Sequence, residues 1–368
     1  MTRKLTLLAC LAFGLFAFVV AVQPQKERFL RATNDFAGFY AGAAQSGTPQ
    51  LYSYDANQRL VTRLTHATIE CMTFTRPPFY AAILHPLAML PYETAYWVYL
   101  TALLSALAWF VWRFSKECPE LAVYALIAPA CAATLITAED TSFSLAIAAS
   151  SILLFRRGRQ FVGGMVLALC GIKFHLFLLI PLLLLLKRRW RALGGMACGG
   201  GLLLVFGALF SGWHSYVEWI DAIRRPVLSP RGLMINLYAL VASFDGGIVV
   251  EIGLMAAVAA LFVWMCLRSD DFELLFGVAL IAGLLINVHT YVYDSVLLLL
   301  AFVLIRKPAA RIVLALLLTP LAYCFIWMWS TSLYIVGMLL VIVLAAASLM
   351  RWPLPRTRVL ADSGTMCK

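Results

Sequence analysis

The chain has 368 residues, of which 63% are hydrophobic and 13% are charged, and its formal net charge is +11. So much apolar surface cannot be covered in the interior of one soluble domain of this length, and lipid must cover the excess. The positive charge does not indicate a nucleic-acid-binding protein, because the basic residues cluster beside apolar runs, as at 156–159 and 187–191, which is typical of cytoplasmic membrane loops.

Apolar runs long enough to cross a bilayer recur along the chain. They predict an all-α protein, a polytopic membrane bundle with one transmembrane domain over residues 1–350, about 10–13 spans and a tail at 351–368. The first run, 5–22, follows two basic residues and is expected to remain as an uncleaved helix. The basic loops place both termini and the tail in the cytoplasm.

Two longer polar stretches, 23–78 and 212–246, are predicted on the extracytoplasmic side. The first is rich in aromatic residues and is expected to form short interfacial helices at 34–47 and 55–72.

Each of these short helices has side chains that can cap its first turn. Asn34 or Asp35 can cap the first, and Asp55 or Asn57 can cap the second.

The middle of the chain contains an interrupted apolar segment. The runs 160–172 and 174–187 are both short for a span, and Lys173 and His175 lie at their junction. Such a break predicts a buried, cavity-facing site, since backbone groups exposed to lipid would lack hydrogen-bond partners. Lys173 then needs an anionic partner or a water-filled cavity, unless its ammonium reaches the membrane interface.

Several acidic residues are candidates for chemistry on the outer side. Asp35 could act as a general base on a hydroxyl group, or its side chain could only cap a helix. The adjacent acids Glu139 and Asp140 could bind a metal ion or a sugar, or could form a solvated turn that caps the helix beginning at Thr141.

Three further residues are candidates for binding a substrate: His289 and Asp294 in a turn rich in tyrosine, and Arg76 before two prolines. His289 and Asp294 could orient a hydroxylated substrate or a phosphate, or could belong to an aromatic belt at the interface. Arg76 offers a guanidinium fork that matches phosphate oxygens, although it could also contact only lipid headgroups.

Other classes of function find no support in the sequence. It contains no P-loop, dinucleotide-binding fingerprint, H-E-x-x-H or nucleophile elbow. The nine cysteines include no C-x-x-C pair, which argues against a zinc site or a disulfide framework. The absence of an internal repeat counts against the repeat-built transporters.

The order of these features resembles glycosyltransferase family 87, the polyprenyl-phosphate-mannose-dependent mannosyltransferases of bacterial membranes. The resemblance extends over about residues 1–310. The chain departs from the family pattern at Glu139–Asp140, where Gly-Gln is frequent, and at Phe174, where proline is usual. Four segments carry the resemblance: 34–52, 76–91, 171–190 and 289–294.

The resemblance implies a GT-C-like fold and an inverting transfer of a hexose, mannose in the family, from a polyprenyl-phosphate donor to a lipid or glycan hydroxyl. The reaction would take place at the outer face of a bacterial inner membrane, without a nucleotide sugar, and no metal is expected. Asp35 would be the catalytic base. The implied substrate-binding residues are Lys173, Arg76, His289, Asp294, Tyr40 and His175.

The sequence is also compatible with two other functions. A transporter or flippase of a lipid-linked sugar or an anionic solute would use Lys173 and the acidic loops as binding groups. A lipid-binding accessory subunit would not depend on Asp35. A transporter tends to place its charged groups near the middle of the membrane, whereas an enzyme gathers them at one face.

Overall fold

The computed structural model confirms the helical membrane bundle. Within the residues that it describes, the chain forms helices and no strand, and an isolated β-bridge joins Met234 to Tyr291. The first predicted span, 5–22, and the tail at 351–368 lie outside the described residues. The structure describes residues 35–66, 73–224, 234–322 and 331–350.

The described chain alternates between long helices, short helices and 3₁₀ segments. The α-helices are α1 (Phe36–Ala44), α2 (Tyr54–Thr65), α3 (Pro78–Leu84), α4 (Tyr92–Phe114), α5 (Leu121–Ile127), α6 (Pro129–Ile136), α7 (Thr141–Arg156), α8 (Gln160–Ala168), α9 (Leu179–Leu186), α10 (Trp190–Ser211), α11 (His214–Ile223), α12 (Leu237–Ala242), α13 (Ile248–Arg268), α14 (Phe272–Ile286), α15 (Leu298–Leu304), α16 (Pro308–Leu317) and α17 (Ser332–Ala347). The 3₁₀ segments are His85–Met89, Leu169–Phe177 and Val292–Leu297.

In the part of the chain that is described, four helical stretches are long and apolar enough to cross a membrane. They are α4, the stretch Gln160–Phe177, α10 and α13. The apolar run 119–137, whose hydropathy predicts a single span, is divided into two helices: α5 ends at Ile127 and α6 begins at Pro129. A proline fits the first turn of a helix but cannot donate a hydrogen bond within a continuous one.

The interfacial helices α1 and α2 lie where the sequence predicts them, but their caps differ. Asp35 stands at the N-cap position of α1, yet its side chain accepts no capping hydrogen bond. The cap of α2 is Ser53, whose Oγ accepts a hydrogen bond from the backbone N–H of Ala56 at 3.4 Å. The capping roles expected for Asp35 and for Asp55 or Asn57 are therefore wrong, and the Asp35 carboxyl is available for other contacts.

Helix α14 lies at the centre of the bundle. Its residues from Phe272 to Leu285 are buried apart from Glu273, which is half-buried, so the helix has no lipid-facing stripe. A helix that is apolar on all sides is stable only when other helices surround it. Helices α10 and α13, in contrast, expose many of their large apolar side chains, as expected of helices that face lipid.

Charged side chains form two separate layers, which α7 connects. Thr141 at the first residue of α7 binds Lys173, whereas Arg156 at its last residue binds Glu117 and Glu273. At 1.5 Å per residue, the two ends of α7 are about 22 Å apart. The layer that contains Lys173 is the candidate site.

The opposite layer consists of ion pairs between loops that the sequence assigns to the cytoplasm. Arg156 binds Glu273 with Nε and Nη2 at 2.6 and 2.7 Å, and Lys187 binds Asp270 at 2.7 Å. A cavity of about 400 Å³ lies beside these pairs, and acidic and basic side chains both line it.

Candidate active site

Five segments that are distant in sequence meet at the candidate site. They contribute Asp35 before α1, Arg76 before α3, the turn from Thr137 to Asp140, Lys173 in the 3₁₀ segment before α9, and Asp294 in the 3₁₀ segment before α15. We call the side chains of Asp35, Arg76, Glu139, Asp140, Lys173 and Asp294 the charged cluster.

The turn after α6 directs two acids into the protein. Ala138 has a φ of 52°, a left-handed conformation that reverses the chain, and the N–H of Glu139 donates to Thr134 O at 3.0 Å. Glu139 and Asp140 are 2% and 0% exposed. The solvated turn that the sequence allows at this position is therefore wrong, since both carboxylates are inside the bundle.

Lys173 lies at a break in the helical path, as the two short apolar runs predict. Its backbone, with φ −122° and ψ 53°, is not helical, and its side chain is 2% exposed. The ammonium therefore does not reach the membrane interface, which excludes the snorkelling alternative.

The buried ammonium of Lys173 has the anionic partners that its burial requires. Nζ donates to Asp294 Oδ1 at 2.6 Å and to Thr141 Oγ1 at 2.7 Å, and it forms an ion pair with Glu139 and a longer one, 3.4 Å, with Asp140. The chain thus brings together one lysine and three carboxylates that lie in three separate segments.

Arg76 holds the same two adjacent acids from the other side. Nε donates to Asp140 Oδ2 at 2.8 Å, and Nη2 donates to Glu139 Oε1 at 2.5 Å. The guanidinium also lies 5.2 Å from the ring centre of Phe39. These contacts use the planar fork of arginine, and among the described residues they leave Nη1 as the donor for a further acceptor.

Asp294 connects the cluster to the backbone of its own segment. Its Oδ1 accepts from Lys173 and from Thr141, the latter at 2.9 Å, while its Oδ2 accepts from the N–H of Tyr291 at 2.9 Å. The carboxylate thereby caps the 3₁₀ segment and orients Lys173.

Asp35 approaches the cluster through both its backbone and its side chain. Its N–H donates to Thr137 O at 2.7 Å, and its carboxyl is close enough to Glu139, Arg76 and Lys173 to interact with them electrostatically. Unlike Glu139, the Asp35 residue keeps partial exposure. Glu139, Asp140 and Asp294 are buried, so Asp35 is the most exposed acidic residue of the cluster.

The cluster contains more acids than bases. Four carboxyls, those of Asp35, Glu139, Asp140 and Asp294, face only the two cations Arg76 and Lys173. With all groups ionised, the cluster would carry two uncompensated negative charges in surroundings that solvate charge poorly.

Burial and the neighbouring charges change the pKa values of three of these carboxyls. Burial, followed by the negative charge of Glu139, raises the pKa of Asp35 well above its usual value. Burial also acts to raise the pKa of Glu139, but Lys173 and Arg76 outweigh it and hold that pKa at about 2. Burial also raises the pKa of Asp140, against the lowering effect of Arg76.

The predicted residues His289 and His175 lie beside the cluster. His289 belongs to the loop before the Val292–Leu297 segment, and its ring meets that of Tyr291 edge-on at 4.9 Å. Burial lowers the pKa of His289, and Arg76 and Lys173 lower it further against the opposing effect of Asp294. A neutral imidazole can both donate and accept a hydrogen bond. His175 is half-buried.

Tyr40 has a packing role in the structure. It is 9% exposed, and its hydroxyl donates to Leu90 O at 2.8 Å, which fastens α1 to the end of the His85–Met89 segment. Its predicted contact with substrate stays a prediction.

The site residues implied by the family resemblance do not include Glu139, Asp140 or Thr141. A signal was present, because two adjacent acids between apolar runs require partners as much as Lys173 does. What sequence spacing could not indicate is that the turn folds inward toward that lysine. The described residues contain no group of three or more His, Cys, Asp or Glu side chains arranged to hold a metal ion.

Comparison with known proteins identifies one relationship. The family model described as glycosyltransferase family 87 matches residues 74–288, which is more than half of the chain. The matched range includes Arg76, Glu139, Asp140 and Lys173, while Asp35 precedes it. No curated protein and no solved structure matches significantly.

Proposed function

The chain belongs to glycosyltransferase family 87 and is a membrane glycosyltransferase, and on this premise we propose that it transfers a hexosyl group, mannosyl in particular, from a polyprenyl-phosphate donor to a hydroxyl of a lipid or glycan. The proposed location is the extracytoplasmic face of a bacterial inner membrane, with both termini in the cytoplasm. One observation carries the proposal: Asp35, the most exposed acidic residue of the charged cluster, lies beside buried acids that bind the two cations Arg76 and Lys173.

In the proposed reaction Asp35 is the general base. Ionised Asp35 takes the proton of the acceptor hydroxyl as its oxygen attacks the anomeric carbon. The bond between that carbon and the phosphate oxygen breaks, and its electron pair leaves with the polyprenyl phosphate. Attack from the face opposite the leaving phosphate inverts the anomeric centre, so one carboxylate suffices and no covalent intermediate forms.

The departing phosphate needs positive charge to stabilise it. Arg76 and Lys173 are the cations of the cluster, and we assign them this role together with the neighbouring imidazoles of His289 and His175. Because carboxylates already bind both cations, the phosphate would share them: Nη1 of Arg76 is directed to no other described residue. The proposal includes no divalent metal, since the carboxylates best suited to bind one, Glu139 and Asp140, are held by these cations.

The structure also bears on the transporter alternative. The charged cluster lies at one end of α7 rather than at its middle, and the described chain brings its acids and cations together at that end. This distribution supports an enzyme that works at one face.

The test is transfer of radiolabelled mannose from polyprenyl-phosphate-mannose in membranes that contain the wild type, Asp35→Asn or Asp55→Asn. Asp55 is an exposed acid on α2 and serves as the matched control. We expect Asp35→Asn to lower the rate at least 100-fold, the usual contribution of a general base, and Asp55→Asn to leave it unchanged.

Equal incorporation by the wild type and Asp35→Asn would show that Asp35 is not the base. If neither exceeds membranes without the protein, the proposed donor or the proposed reaction is wrong.

A further inference from the structure

The cavity at the end of the bundle opposite the charged cluster has no part in the proposed transfer reaction. Its volume of about 400 Å³ is in the range of sites that bind small molecules. Four segments of the chain line it: the end of α7, the turn before α10, the loop before α14, and the end of α15 with Arg306. A ligand in this cavity would therefore contact several of the connections between helices.

Arg189, in the turn before α10, is a cation whose described contacts include no acidic side chain. Its Cζ atom lies 3.6 Å from the ring centre of Phe272, and its Nη1 donates to Gln160 Oε1 at 3.1 Å. These two contacts hold a half-buried guanidinium in place at the wall of the cavity. Since arginine keeps its charge in proteins, its remaining N–H groups can donate to an anionic ligand.

Asp271 supplies the opposite charge in the same wall. Its Oδ1 accepts a hydrogen bond from the N–H of Leu274 at 3.0 Å as the N-cap of α14, which leaves Oδ2 for another donor. It directly precedes Phe272, the residue on which Arg189 lies, yet no ion pair joins it to Arg189 in the described chain. Here a cation and an anion without ion-pair partners line one cavity.

The other charged side chains of the lining have partners. Arg156 binds both oxygens of Glu273, and Asp270 binds Lys187. Arg306 lies 3.6 Å from Glu273 with a side chain that is 70% exposed, so it can also turn toward a ligand. Because three arginines and three acids line the cavity, it favours a ligand without a large net charge.

The position of the cavity along the helices indicates which ligand lies nearest to it. Helix α10 begins directly after Arg189, and α13 ends at Arg268, just before the loop that contains Asp271. Both helices are long and apolar enough to cross a membrane. The ends of such helices lie where hydrocarbon meets the lipid headgroups, and the exposed Trp190 is typical of that depth.

We propose that this cavity binds the headgroup of a zwitterionic phospholipid of the phosphatidylethanolamine class. The guanidinium fork of Arg189, with Arg306 beside it, binds the phosphate, and Asp271 accepts hydrogen bonds from the ammonium. Basic pockets at this depth bind lipid headgroups in general, and the acids of the lining select a zwitterionic headgroup over an anionic one. The site is separate from the charged cluster and does not depend on the proposed function.

The test is direct binding of lipid to the full chain in detergent, measured by native mass spectrometry. The probes are phosphatidylethanolamine and phosphatidylglycerol, which share the phosphate and differ in the ammonium. We expect the wild type to bind phosphatidylethanolamine about fivefold more tightly, since only this lipid gives Asp271 a cation. Equal affinities, or a preference for phosphatidylglycerol, would overturn the proposal.

Three variants locate the binding. Arg189→Gln should weaken the binding of phosphatidylethanolamine at least about tenfold, because the phosphate loses its charged donors. Arg188→Gln is the matched control and should bind as the wild type does, since Arg188 is exposed and does not line the cavity. Asp271→Asn keeps an oxygen for the N-cap but not the charge, so it should lose the preference between the two lipids. Equal binding by the wild type and Arg189→Gln would show that the lipid does not occupy this cavity.

Two soluble probes distinguish a lipid headgroup from free phosphate. O-phosphoethanolamine should displace bound phosphatidylethanolamine from the wild type at a lower concentration than inorganic phosphate does, because it carries both charges. If inorganic phosphate displaces the lipid equally well, the cavity is a phosphate site and the proposed headgroup is wrong. This comparison uses only the wild type, so it holds even where Arg189→Gln does not fold.

Discussion

Lys173 illustrates how single residues stabilise this site. Its ammonium is 2% exposed and lies 2.6 Å from Asp294, with Glu139 and Asp140 as further partners and the ring of Tyr293 at 4.9 Å. Burying an ion costs several kcal/mol of solvation, which its partners offset only while all of them are present. The cluster should therefore be sensitive to the removal of any one member.

Replacing Lys173 with methionine should destabilise the protein by about 3–5 kcal/mol, because Asp294 and Glu139 would remain buried without their cation. The measurement is thermal unfolding in detergent. Lys116→Met is the control, since Lys116 is exposed and its replacement should cost less than about 1 kcal/mol.

A double-mutant cycle separates the pairing of Lys173 from its packing. Asp294→Asn keeps an oxygen for the N–H of Tyr291, so the double variant with Lys173→Met should be more stable than the sum of the two single losses predicts. Strictly additive losses would mean that Lys173 and Asp294 do not stabilise one another.

For single residues, the sequence predicts that a buried charge requires a partner but does not predict which residue that partner is. Lysine in an apolar run needs an anion, and the structure supplies three, but the run itself does not indicate which acids of the chain they are. For Asp35 the local sequence favoured a helix cap. In the structure its side chain does not cap α1, and its backbone N–H binds Thr137, about 100 residues further along the chain.

At the scale of elements, the contact between α8 and α10 depends on glycine. A Cβ on Gly195 would lie 2.0 Å from Phe161 O, and a Cβ on Gly164 would lie 1.9 Å from Ala192 O. Without side chains at these positions the two backbones can approach closely, which gives membrane helices their van der Waals contact. Gly194, the next residue, has open space around its Cα.

Gly195→Ala and Gly194→Ala therefore form a matched pair. The first should lower the free energy of unfolding by about 1–3 kcal/mol, because the two backbones must separate. The second should be neutral or stabilising by up to about 1 kcal/mol, since alanine favours a helix more than glycine does. The measurement is thermal unfolding of both variants. Equal changes in the free energy of unfolding would contradict the close contact between α8 and α10.

Helix boundaries were predicted best where the sequence contains a strong local signal. The half-length runs around Lys173 predicted the break in that segment, and Pro78, in the double proline after Arg76, begins α3. The apolar run 119–137 forms two helices rather than one continuous helix, because Pro129 interrupts the backbone hydrogen bonds and hydropathy does not reveal this.

At the scale of the whole molecule, the two charged layers differ in character. The layer around Asp35 is buried and has an excess of acids, whereas exposed or half-buried pairs such as those of Arg156 make up the other. From the basic turns beside this second layer we propose that it faces the cytoplasm.

This assignment can be tested with cysteines at two exposed positions, Gln50 and Arg157. A membrane-impermeant maleimide should label Gln50→Cys in intact cells, but Arg157→Cys only after the membrane is opened, with the parent protein as background for the native cysteines. The reverse pattern would place the candidate site on the cytoplasmic face.

The sequence by itself determined that this chain is a helical membrane protein, where its main apolar elements and its central break lie, and which family it resembles. Those features depend on hydropathy and on local backbone chemistry, which neighbouring residues control. Only the tertiary structure decided that Glu139 and Asp140 are buried against Arg76 and Lys173, and that Asp35 binds Thr137 through its backbone while its side chain does not cap α1. Ion pairing acts over a few ångströms in space, and the positions involved, from 35 to 294, become neighbours only when the bundle has folded.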